Sequence, residues 1–173
     1  MVTRKKIFVY IYILFCSLFA VETAADTHLS SINVDNVLGH KISGDINITT
    51  DEGESLYIND FLNTGTPLVF VLGYYQCPML CSLVLNGLSD ALTNTDLVPG
   101  EEYSIITVSI DPEEGISLSK EKKENYISKY FKNIDSNDFW TFATTNQINI
   151  NRITKELGFS YSYDSKIDQY AHP

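Results

Sequence analysis

An unbroken apolar run at 68–75 (Leu-Val-Phe-Val-Leu-Gly-Tyr-Tyr) ends one residue before Cys77-Pro78-Met79-Leu80-Cys81. Such a run suits a strand buried on both faces, so two thiols stand just past the carboxyl end of a core strand. Pro78 fits a first helical turn, where its missing N–H does no harm. Leu80, Leu83, Val84 and Leu88 then recur at helical spacing, to a helix end near Thr93. Thiols four residues apart on a helix share one face, one turn from each other. There they can close a disulfide or hold one soft metal ion together.

The pattern continues by alternation. A strand is expected at 103–110, closed by Asp111-Pro112, then a charged helix at 119–131 with Tyr126, Ile127, Tyr130 and Phe131 inward. A short strand at 139–142, a helix at 147–157 stopped by Gly158, and an alternating strand at 159–163 follow. This order predicts an α/β fold with a parallel sheet and right-handed crossovers. In open sheets of this kind active groups gather at the carboxyl ends of strands, where Cys77 and Asp111 both fall. Gly87, inside the helical pattern, suggests close packing. Residues 26–65 are polar, with apolar patches at 46–48 and 56–58 and a turn at 51–54, and read as a leader with one or two short strands.

The chain has 173 residues, enough for one domain with a real core. Arg4, Lys5 and Lys6 precede a 15-residue apolar stretch at 7–21, broken only by Ser17 and followed by Thr23-Ala24-Ala25. That pattern reads as a secretory signal or membrane anchor over 1–25, and a bulky Phe15 before Cys16 argues against lipid attachment there. Export makes the compartment periplasmic or its intermembrane equivalent. From Asp26 on, the chain keeps 9 basic and 21 acidic residues, a net charge of −12. Such a surface repels nucleic acid and anionic lipid.

With Cys16 in the leader, Cys77 and Cys81 form an isolated pair. A bridge across three residues constrains little, so a redox or metal role gains over a structural disulfide. The partial positive charge of a helix N-terminus favours thiolate, most of all at Cys77. Two thiolates there would give a shallow, exposed soft site suited to Cu(I) or Zn, and an imidazole would make room for Cu(II). His28 and His40 lie in the polar leader, and His172 stands in Gln169-Tyr170-Ala171-His172-Pro173. Met79 reads as a contact residue between the cysteines. Trp140 and the tyrosines read as core and surface aromatics.

The string 73–88, Gly-Tyr-Tyr-Gln-Cys-Pro-Met-Leu-Cys-Ser-Leu-Val-Leu-Asn-Gly-Leu, resembles the copper motif of the Sco (SenC-type) proteins. Further matches follow in order: Val108-Ser109-Ile110-Asp111-Pro112-Glu113, Phe139-Trp140-Thr141-Phe142, Gly158-Phe159-Ser160-Tyr161-Ser162-Tyr163-Asp164, and the segment around His172. The resemblance spans about 60–173. It implies a thioredoxin-like fold, membrane association, and a role in assembling the copper centre of cytochrome c oxidase. It also implies Cys77, Cys81 and His172 as copper ligands, with Asp111 nearby to orient a ligand or partner. Asp111 reads equally well as a helix cap or turn residue. Family members continue past this histidine into a β-hairpin and a final helix, whereas this chain stops at Pro173. The expectation is therefore a thioredoxin-like sheet with flanking helices that lacks those elements, over 66–173.

Two functions follow. The first is a copper metallochaperone, with the copper-bearing oxidase subunit and a copper donor as its partners. The alternative is a thiol–disulfide oxidoreductase in which Cys77 attacks a partner's disulfide and Cys81 resolves the intermediate. Redox enzymes of this fold usually place two residues between the cysteines, and here there are three.

Overall fold

The computed structural model describes residues 32–78, 80–134 and 136–173. The export signal expected at 1–25, His28 and Met79 lie outside the described residues. Two compact units result, one formed by Asp35–Gly158 and the other by Phe159–Pro173 with residues 32–34.

The larger unit begins with a hairpin, β2 (Asn47–Thr50) and β3 (Ser55–Tyr57), across the turn expected at 51–54. A short helix, α1 (Ile58–Leu62), follows. Then come β4 (Leu68–Gly73), α2 (Leu80–Thr93), β5 (Ser104–Ser109), α3 (Ile116–Tyr130), β6 (Trp140–Thr144) and α4 (Gln147–Glu156). The strands form one sheet in the order β3-β2-β6-β5-β4. β4, β5 and β6 run parallel, as expected, whereas β2 pairs antiparallel with β6 and makes the sheet mixed. The short strands of the polar leader thus belong to the main sheet.

Alternation along the strands divides the core in two. Ile105, Trp140 and Phe142 point to one face, where Leu85 of α2 and Tyr126 of α3 cover them. Ile106, Val108 and Ala143 point to the other, against Ile58 of α1 and Ile153 of α4. Trp140, Phe142, Ile106 and Ile153 are fully buried. β5 is the strand buried on both faces. β4, which the apolar run had suggested for that place, is a half-buried edge strand of six residues, because β5 pairs with it on one side only.

α2 packs by one stripe of its apolar residues. It turns Cys81, Leu85 and Ser89 inward with Leu88 and Leu92 beside them, which leaves Leu80, Leu83 and Val84 on the outer face at 49, 60 and 52 % exposure. Gly87 shares that outer face, and a Cβ added there would meet no atom within 4 Å, so it marks no close packing. α3 starts three residues before its expected beginning, at Ile116 after Gly115 in extended conformation.

In the smaller unit, β7 (Phe159–Ser160) pairs antiparallel with β1 (Asn33–Val34), and β8 (Ser162–Asp164) with β9 (Gln169–Ala171). The alternating run at 159–163 is therefore split between two pairings. Among the described residues no helix is long and apolar enough to cross a membrane.

Candidate metal centre

β4 ends at Gly73, and residues 74–78 carry the chain from the sheet to α2. Cys77 lies in that loop, three residues before the helix, and Cys81 is the second residue of α2. Both are thiols, and their sulfurs lie within 4.8 Å of each other. The backbone N–H of Cys81 donates to the Cys77 sulfur at 3.4 Å, so that sulfur takes up one of the N–H groups at the positive end of α2. The Tyr74 N–H donates to the Cys81 sulfur, also at 3.4 Å. A Cβ on Gly73 would stand 3.1 Å from that sulfur, so the glycine leaves the room Cys81 occupies.

The exposed site expected from the sequence is not what forms. Cys77 is 8 % and Cys81 5 % exposed. The sulfurs nonetheless lie outside both apolar clusters, and Gln76, Pro78 and Leu80 around them in the chain are exposed. Burial pushes the Cys81 thiol up to about 12, with the neighbouring Cys77 adding to the rise against the Tyr74 hydrogen bond and the Lys122 charge. A thiol so placed is a poor nucleophile in the absence of a metal.

The loop is fixed from behind. Glu114, 7 % exposed, sits between β5 and α3 and accepts from the N–H of Tyr75 at 2.8 Å and of Gln76 at 2.7 Å. It also accepts from Ser109 Oγ at 2.6 Å. Lys122 Nζ donates to the Tyr75 carbonyl at 2.9 Å. The Tyr75 hydroxyl reaches the carbonyl oxygens of Thr107 and Ala143 at 3.1 and 2.7 Å. Sequence reasoning did not single out Glu114 or Lys122. Asp111 lies in the turn after β5, where its carboxylate accepts from the Glu113 N–H at 3.0 Å, the geometry of a turn residue.

His172, in the smaller unit, is buried, with its ring stacked on Phe159 at 6.3 Å. Its Nδ1 lies 3.0 Å from the Pro173 carbonyl oxygen.

A parallel strand, a thiol-bearing loop and a helix, set beside a second β–α unit in one sheet, define a thioredoxin-like protein with a three-residue spacer between its cysteines. The SCO1/SenC family model matches residues 35–171, and the chain belongs to that family. Solved structures agree on the fold. A protein of Aquifex aeolicus VF5, provisionally described as an electron transfer protein, matches with a TM-score of 0.67 at 18 % identity, over 79 % of this chain and 74 % of its own. Arabidopsis thaliana ScoI with copper bound matches at 0.55 and 16 % identity, over 75 % and 74 %. Bradyrhizobium japonicum ScoI with copper bound matches at 0.54 and 20 %, over 76 % of each chain. No curated protein matches the chain.

Proposed function

We propose that this chain carries copper for assembly of the copper centre of cytochrome c oxidase, with Cys77, Cys81 and His172 as its ligands. The observation that carries this reading is the paired approach of the Cys77 and Cys81 sulfurs, within 4.8 Å of each other at the end of β4. Two sulfurs at that separation need only a small adjustment to bind one ion, and soft thiolates select Cu(I) over hard cations. Metal binding would displace the proton that burial holds on Cys81. Support comes also from family membership and from the copper bound in the Arabidopsis and Bradyrhizobium proteins. His172 enters as an imidazole ligand that admits Cu(II) as well.

Transfer proceeds by ligand exchange with a partner's thiols, which requires the buried sulfurs to become accessible. The exposed Leu80, Leu83 and Val84 on the same helix supply an apolar surface for that partner. The copper-bearing oxidase subunit is the proposed recipient and a copper donor protein the proposed source. The basic and apolar residues before Asp26 support export, with the domain outside the cytoplasm. A Bacillus anthracis SCO1/SenC family lipoprotein shares the fold, with a TM-score of 0.56.

Anaerobic Cu(I) titration of the reduced protein tests the reading. One Cu(I) per chain is expected, lost in Cys77→Ser and in Cys81→Ser, whereas His172→Ala should weaken Cu(II) more than Cu(I). A wild-type protein that binds no copper yet reduces a model disulfide would transfer the assignment to thiol–disulfide exchange. In that reaction the two thiols give two electrons and two protons to the substrate disulfide and become a disulfide themselves.

A further inference from the structure

Glu114 is a carboxylate placed where a carboxylate is costly. It is 7 % exposed, and no ion pair of its own is recorded among the described residues. Burying such a group is unfavourable unless hydrogen bonds replace its water. Its oxygens accept three, two of them from the consecutive N–H groups of Tyr75 and Gln76. Those amides lie past the end of β4 and before α2, where neither ladder nor helix bonds are available. Glu114 therefore takes the place of secondary structure for this stretch. Lys122 holds the same stretch by the Tyr75 carbonyl and reaches Ser82 Oγ of α2 at 3.4 Å. Tyr75 is thus held at its N–H, its carbonyl and its hydroxyl from three directions, two residues before Cys77.

We infer that Glu114, supported by Lys122, is the positioning residue of the cysteine loop, fixing residues 74–77 so that the Cys77 sulfur stays beside that of Cys81. For copper capture this inference rests on the function proposed above. Its physical basis is population: a loop without the clamp samples arrangements in which the sulfurs are apart, and apparent affinity falls by the fraction of time they are together. Outer groups that orient metal ligands typically matter by about 10- to 100-fold in affinity.

The test compares Glu114→Gln with wild type by Cu(I) competition against a chromophoric chelator and by hydrogen exchange at the Tyr75 and Gln76 amides. Glutamine keeps the shape but puts an NH2 group where one of the backbone N–H groups needs an acceptor. The expected result is Cu(I) affinity lower by about tenfold, with exchange accelerated at residues 75 and 76. Ile153→Val, a core change on the other face of the sheet, serves as control and should lower the melting temperature while leaving affinity within about twofold. Unchanged affinity in Glu114→Gln, or equal weakening in the control, overturns the inference. If Glu114→Gln does not fold, Lys122→Met takes its place, with several-fold weakening expected and none overturning. If wild type binds no Cu(I), the proposed function fails. The inference is then decided by amide exchange alone, where no acceleration in the variant overturns it.

Discussion

Gly73 and the Cys81 sulfur occupy adjoining space: a Cβ on the glycine would come within 3.1 Å of Sγ. Contacts that close are tighter than packed side chains normally allow, so one of the two must yield. Gly73 ends β4, paired with Ser109 of β5 through the parallel ladder, and its backbone has little freedom to retreat. Gly73→Ala should therefore move the Cys81 side chain rather than the strand. The expected outcome is a stability loss of about 1 kcal/mol, at the low end for overpacking, with Cu(I) affinity reduced about tenfold if the sulfur is displaced. Urea unfolding and chelator competition on the same protein separate the two effects. A variant that loses stability but keeps its affinity would show that the strand, not the sulfur, gives way.

Much of this arrangement was legible in the residues, and what was not has physical reasons. The apolar runs at 103–110 and 139–142 and the position of Cys77 past an apolar strand set out the β–α–β frame, because burial imposes those patterns directly. Which strand lies at the centre is decided by pairing between distant segments, so the most apolar run, β4, proved to be an edge. Which face of α2 turns inward was open for a related reason. Leu80, Leu83, Val84 and Leu88 have helical spacing, but inward placement of Cys81 turns the stripe through Leu85 and Leu88 to the sheet. Glu114 stayed invisible because Glu113 and Glu114 are the same residue type side by side in an acidic chain. Only the fold separates the exposed one from the buried one.

Glu114 also makes stability depend on pH. Burial raises its pKa above the usual 4.5, against the hydrogen bonds from Ser109, Tyr75 and Gln76, and the charge of Asp111 adds to the rise. Between the unfolded and folded pKa values the folded chain binds more protons, so stability falls as pH rises there. This contribution is complete below about pH 4.5 and is lost as pH climbs through the folded value. Urea midpoints measured upward from pH 4 should show wild type losing ground relative to Glu114→Gln. A difference that grows in favour of wild type with pH would contradict the assigned direction. The ionised carboxylate thus costs stability while it holds the loop, a compromise common at functional sites.

The Asp51–Lys123 pair joins the β2–β3 turn to α3. Lys123 Nζ lies 3.0 Å from Asp51, with side chains 8 and 4 % exposed, and the other Asp51 oxygen accepts from the Phe142 N–H at 3.0 Å. Removing one partner from a buried pair leaves the other charge without compensation. Lys123→Met should cost about 3–5 kcal/mol. Replacing both residues, as Asp51→Asn with Lys123→Met, should recover a good part of that. Denaturant unfolding of the single and double variants measures the coupling, and additive losses would show that the two charges do not depend on each other.

Gly158 closes α4 in a left-handed conformation, with φ of +66°. A Cβ there would lie 2.5 Å from the Asp35 carbonyl oxygen, a distance that real Cβ atoms essentially never show. The same glycine accepts from the Asp35 N–H at 2.7 Å, so the two backbones are already in direct contact and neither can withdraw without losing that bond. Alanine would meet both penalties, the unfavourable backbone angle and the collision. Gly158→Ala should therefore destabilise the larger unit by about 2 kcal/mol or more, the sum expected from strain and a weakened backbone hydrogen bond. Gly39, with φ of +85° and nothing within 4 Å of an added Cβ, supplies the comparison. Gly39→Ala carries the angle penalty alone and should cost about 1 kcal/mol. Equal losses in the two variants, read from urea midpoints, would mean that the backbone at Asp35 shifts freely and that the close approach at Gly158 is not what holds it.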